Sequence, residues 1–106
     1  MDGWTPAWKI FEQRDDGGLT TLFHGRRDRF LHGATYKANV RMVSDGGREY
    51  LSGFHCFPTI DIALSYKERF TRPRDLVVEP VWVRSTRPKP TNPDVLLAEE
   101  LMLRRS

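Results

Sequence analysis

Two histidines stand inside apolar, strand-like strings and close to a glycine: Leu22-Phe23-His24-Gly25 and Gly53-Phe54-His55-Cys56-Phe57. An imidazole at a strand end beside a glycine presents one ring edge while backbone or ligand approaches the other, which suits a nucleotide-binding cleft. It suits equally an ordinary hairpin whose histidines bond backbone carbonyls. Arginines stand near both strings. Arg26, Arg27 and Arg29 follow His24, and Arg69, Arg72 and Arg74 lie beyond the second string. Arg84, Arg87 and Lys89 come later, ahead of the acidic pair Glu99-Glu100. Such clusters either hold phosphate or solvate loops.

The elements that must position these groups fit one domain spanning 1–106. A chain of 106 residues that is 39% hydrophobic supports one core. The net charge of +3 is modest, although the sequence pI is about 9.4. A single cysteine rules out an intramolecular disulfide and a cysteine-only zinc site. His24, His32, His55 and Cys56 have the ligand types for zinc but no helical or ribbon spacing, so no metal is expected. No apolar run is long enough to span a bilayer. Met1-Asp2-Gly3-Trp4 lacks the regions of a signal peptide, and the expected location is cytoplasmic.

The pattern predicts an α+β domain, mostly antiparallel sheet with one main helix over about 59–70 packed across it. Trp8, Ile10 and Glu12 alternate with Lys9, Phe11 and Gln13, and a turn at Asp15-Asp16-Gly17-Gly18 returns the chain as a strand from Leu19 to His24. The stretch from Gly25 to Gly33 reads as irregular and basic. Tyr36 to Val43 alternates as one strand, and Ser44-Asp45-Gly46-Gly47 turns into another strand from Tyr50 through Phe57. Thr59 is the expected N-cap of the helix; Ile62, Tyr66 and Phe70 recur at four-residue spacing, and Pro73 stops it. Leu76 to Val83 predicts a buried strand that Pro80 places at an edge or bulge. Arg87 through Pro93, with three prolines, predicts an extended loop. Val95 to Leu103 fits helix or strand.

Taken in order, these strings resemble the ADP-ribosyltransferases of the poly(ADP-ribose) polymerase and diphtheria-toxin type. The likeness lies in Phe23-His24-Gly25, in Gly53-Phe54-His55-Cys56-Phe57 with Ala63 and Tyr66 behind it, and in Glu99-Glu100 before Leu101-Met102-Leu103. It covers about a third of the chain. The resemblance implies NAD as the bound nucleotide. It makes His24 a hydrogen-bond donor to the ribose and nicotinamide side and His55 a flat ring stacked on nicotinamide. Glu99 or Glu100 would stabilise the oxocarbenium-like charge as the glycosidic bond breaks. Arg26 or Arg27 would reach the pyrophosphate, and Gly25, Gly53 and Tyr66 would complete the binding surface. His55 stands where most members carry tyrosine, a variant of the RNA 2′-phosphotransferase branch.

Two function classes follow. One is a compact ADP-ribosyltransferase-like domain that binds NAD or a related phosphorylated nucleotide. The other is a non-enzymatic small regulator or inhibitor, of the mobile-element or phage type, that needs no cofactor. It would dock a protein or nucleic acid through Arg26, Arg27, Arg29, Arg72 and Arg74. Trp4, Trp8, Trp82 and Tyr66 read as core or interface, because the arginines are not interleaved with them in sequence.

Overall fold

The computed structural model describes residues 3–15, 17–20, 30–71 and 73–104. His24, Gly25, Arg26, Arg27, Arg29 and Arg72 lie outside these described residues. The fold is mostly antiparallel sheet with one helix, and sheet dominates.

The first strand, β1 (Thr5–Gln13), is apolar on both faces. Its odd positions Ala7, Lys9 and Phe11 are buried in the main core, and its even positions Trp8 and Ile10 pack under the helix. β1 pairs with short β2 (Leu19–Thr20) on one edge and with β7 (Leu76–Lys89) on the other. β7 turns through Pro90 and Thr91 into β8 (Asn92–Leu103). The far edge of β8 carries both β3 (Thr35–Lys37) and β6 (Phe54–Cys56). The sheet then closes on itself: Trp8 and Phe57 exchange backbone hydrogen bonds of 2.9 and 2.7 Å, joining the end of β6 to β1. Leu19–Phe30 and His32–Leu103 bridges help fill the remaining side.

Closure explains the two cores. Inside the curl lie Phe11, Phe30, Phe54, Val81, Val83 and Leu101, with Phe11 and Phe54 each edge-on to Phe30. Outside it, Ile10, Phe57, Leu76 and Val95 meet Ala63 of the helix α1 (Ile60–Lys67). Fully burying an aliphatic side chain in either layer contributes roughly 1.5–3 kcal/mol. The helix begins as expected, since the Thr59 hydroxyl accepts from the Ile62 amide at 3.2 Å and Asp61 sits in the positive first turn. It is shorter than 59–70; turn bonds carry the chain from Glu68 to Phe70.

Four expectations need correction. The single strand over 36–43 is two: β3 ends at Lys37, and Met42–Asp45 forms β4 in a separate two-stranded sheet with β5 (Arg48–Leu51). Ala38 still bonds Glu99 of β8, after which the chain leaves the barrel to make the β4–β5 hairpin. Its turn is Gly46-Gly47, both at positive φ of 59° and 83°, as a two-residue hairpin turn of the tight right-twisting type requires. The strand from 50 to 57 likewise breaks, at Ser52-Gly53, where the chain re-enters the barrel.

Pro80 lies in a central strand, not at an edge or bulge. Its partner on β1, Trp8, directs its amide and carbonyl to Phe57 on the other side, so β1 asks nothing of the Pro80 nitrogen. On the β8 side the Pro80 carbonyl accepts from Arg104 at 3.0 Å, just past the end of that strand. A proline costs little where the ladder runs out. The proline-rich 87–93 stretch is the end of β7, a two-residue turn and the start of β8, not a loop; Pro88 pairs with Leu96 and Lys89 with Asn92. Val95 to Leu103 is strand.

Candidate functional site

A cleft of about 1090 Å³ opens between β6, the β4–β5 hairpin, α1 and the start of β8. His55 lines it. Within β6 the residues alternate, so Phe54 and Cys56 are buried and the His55 ring faces out, on the opposite side from the thiol. That arrangement leaves Cys56 without His55 as a base. Burial pushes the Cys56 thiol up to about 11.

Gly53 also lines the cleft, for a packing reason. A Cβ there would stand 2.9 Å from the Ala98 carbonyl oxygen and 3.2 Å from its nitrogen, so only glycine lets the chain pass β8 this closely. Tyr66 contributes a ring from α1 that packs on Phe57 at 5.0 Å between centroids. The Asn92 amide donates to its hydroxyl, and the Arg69 guanidinium lies over its face at 4.5 Å. His55, Gly53 and Tyr66, singled out from sequence, therefore share one cleft.

Glu99 and Glu100 do not line it. They face a smaller neighbouring depression of about 240 Å³ that shares Lys37 and Ala38 with the cleft. Each carboxylate is engaged by an arginine. Arg84 grips Glu100 in a two-point contact of 2.6 and 3.0 Å, which holds the Glu100 carboxyl below its usual range and raises the guanidinium. The same guanidinium stacks on Trp4 at 4.3 Å. Arg87 donates to Glu99 at 3.0 Å and to the carbonyls of Leu51 and Ser52 at 3.1 and 2.6 Å. Glu99 thus steadies the arginine that pins the β4–β5 hairpin to the barrel. Arg74 is exposed on a 3-10 turn (Pro73–Asp75) and is not among the lining residues.

The cations in the cleft come from elsewhere. Lys9, Lys37, Arg41 and Lys89 line it, against one carboxylate, Asp45. Lys89 approaches Asp45 at 3.6 Å, and Thr91 donates to Asp45 at 2.8 Å, tying the hairpin tip to the β7–β8 turn. Among the described residues the balance is thus positive, and walls of low dielectric focus such a field. Lys37, Arg41 and Lys89 converge only through topology; Lys89 belongs to the third basic cluster of the sequence, and no local string marks Lys37 or Arg41. Lys9 did carry a signal: in a strand apolar on both faces, a lysine between Ala7 and Phe11 has to be buried. It is 6% exposed.

The tryptophans also differ from the sequence impression. Arg104 lies between Trp8 and Trp82, at 5.2 and 5.3 Å, so arginines interleave with them in space.

No known family, no curated protein and no solved structure matches the chain. Among the described residues no helix is long and apolar enough to cross a membrane.

Proposed function

We propose that this cleft binds a phosphorylated nucleotide, with NAD as the leading candidate, in a compact α+β domain of the cytoplasm that resembles the ADP-ribosyltransferases. The observation that carries the proposal is the composition of the lining. Two exposed cations of the lining, Lys37 and Arg41, stand with the buried amine of Lys9, an exposed imidazole, His55, and the rings of Tyr66 and Tyr50. Phosphate oxygens suit the cations, and a base or nicotinamide ring suits the flat side chains. The volume is of the order that ligand clefts occupy, roughly 300–1,000 Å³. His55, exposed in that lining, is the ring that the resemblance assigns to stacking.

Transfer chemistry asks more than binding. The carboxylates that the resemblance assigns to a ribosyl cation are Glu99 and Glu100, and each would first have to release its arginine. Nucleotide binding is therefore the core of the proposal, and bond cleavage is its extension. The alternative of a small regulator draws on the cross-strand pair Met42 and Leu51, 58% and 46% exposed on the hairpin.

A thermal-shift panel with NAD, NADP, ADP-ribose and short RNA separates these. A ligand at a hundred times its dissociation constant stabilises by about 2.7 kcal/mol. The expected result is a rise with NAD or ADP-ribose that His55→Ala reduces while leaving the unliganded melt nearly unchanged. A rise with RNA alone favours the regulator. No rise with any nucleotide overturns the proposal.

A further inference from the structure

One group in the cleft is not needed for stacking a base. The Lys9 side chain enters from β1, on the buried face between Ala7 and Phe11, and also lines the cleft. Its ammonium nitrogen is 5.7 Å from the Phe11 ring centre and 5.8 Å from that of Phe54, and it donates to the His55 carbonyl at 3.1 Å. An amine enclosed by two phenyl rings and a neutral carbonyl has lost most of its water without gaining a described carboxylate. Lysines so placed become nucleophiles, because burial disfavours the charged form. The chain's other lysines are placed differently. Lys67 and Lys89 lie near Glu68 and Asp45, at 3.9 and 3.6 Å, and Lys37 is exposed on β3.

We propose that Lys9 reversibly captures aldehydes that carry a phosphate, as an imine formed inside the cleft. The Lys9 nitrogen lone pair adds to the aldehyde carbon, and the carbonyl electron pair moves to its oxygen. A proton passes from nitrogen to that oxygen to give a carbinolamine, and loss of water leaves the carbon–nitrogen double bond. No oxidant or reductant is consumed. Lys37 and Arg41, in the same lining, receive the phosphate. Burial lowers the readiness of Lys9 to hold its proton, and the neighbouring Cys56 offsets this only in part. The proposal rests on the phosphate-accepting character of the cleft and not on its choice of nucleotide.

Pyridoxal 5′-phosphate is the probe, followed by borohydride reduction and peptide mass mapping. The expected product is one pyridoxyl group on Lys9, absent in Lys9→Met and retained when Lys37 and Lys89 are both changed to arginine. Pyridoxal without phosphate is expected to label Lys9 at least about tenfold more slowly, equivalent to about 1.4 kcal/mol of phosphate recognition. Label spread over Lys37, Lys67 and Lys89 without preference for Lys9 overturns the proposal. Equal rates for the two aldehydes overturn its phosphate requirement. NAD, which carries no free aldehyde, tests the nucleotide proposal separately. Competition places the nucleotide in the same cleft, whereas Lys9 labelling unhindered by a large excess of NAD leaves aldehyde capture standing and counts against nucleotide binding.

Discussion

Replacing Lys9 by methionine is expected to stabilise the protein at neutral pH, and the gain is expected to shrink as pH rises. Methionine keeps the length and most of the apolar stem, so packing against Phe11 and Phe54 survives. What it removes is an ammonium whose burial costs several kcal/mol. What it loses is one hydrogen bond to the His55 carbonyl, worth about 1–3 kcal/mol once that acceptor is left unpaired. The balance favours methionine by about 1–3 kcal/mol at pH 7. The pH dependence is the sharper readout. Burial lowers the Lys9 pKa from its ordinary 10.5. Between the folded and unfolded values the unfolded chain binds more protons, so the parent gains stability with rising pH. The gain is at most about 1.4 kcal/mol per pH unit, and methionine has no such term. Cys56 works the other way above its ordinary 9.0, because its folded value is about 11; Lys9 lowers that value, so the Lys9 contribution is read most cleanly below pH 9.0. Urea unfolding of both proteins at intervals from about pH 7 to about pH 10 gives the difference directly. Converging stabilities support a desolvated amine. Parallel curves, or a Lys9→Met protein less stable throughout, refute it.

Other substitutions probe how the cleft is held. Thr59→Ala removes the acceptor of the Ile62 amide and is expected to cost about 1 kcal/mol in chemical unfolding, with less helical circular dichroism at the midpoint of the transition. Gly53→Ala forces a Cβ to within 2.9 Å of the Ala98 carbonyl, and an expected loss of about 1–3 kcal/mol would be read from the same experiment. A neutral effect would mean that β6 does not run against β8 in this register. Arg87→Met unties Glu99 from the carbonyls of Leu51 and Ser52. Faster amide exchange in 42–51, with barrel strands still protected, is the expected signature of a released hairpin.

Much of the fold was legible where local chemistry decides it. The β1 alternation, the Asp45-Gly46-Gly47 turn and the Thr59 cap each follow from side chains within a few residues. What the sequence hid was long-range. Nothing near Pro80 says that β8 ends opposite it, so local sequence places at an edge or bulge a proline that sits in a central strand. The prolines of 87–93 suggested a loop because proline cannot donate, yet Pro88 and Pro93 sit in strands flanking a two-residue turn. The candidate site was half legible. The glycine-aromatic-histidine string led to Gly53, His55 and Tyr66 around one cleft. The cations came from β1, β3, the 38–41 connection and β7, which only closure of the sheet brings together. Glu99 and Glu100 were conspicuous as an acidic pair, but their arginine partners lie 12 and 16 residues away, across the β7–β8 hairpin.

Isothermal titration with NAD and ADP-ribose, at low and then high salt, tests the central claim most directly. It would compare the parent protein with Arg41→Ala, in the cleft, and Arg74→Ala, exposed and not part of the cleft lining. Binding to the parent is expected to weaken as salt rises, as phosphate contacts do. Arg41→Ala is expected to weaken it about tenfold at low salt, a loss of about 1.4 kcal/mol, and Arg74→Ala to leave it unchanged. No binding heat from either nucleotide at low salt, or equal losses from the two arginines, would contradict a phosphorylated-nucleotide site in this cleft.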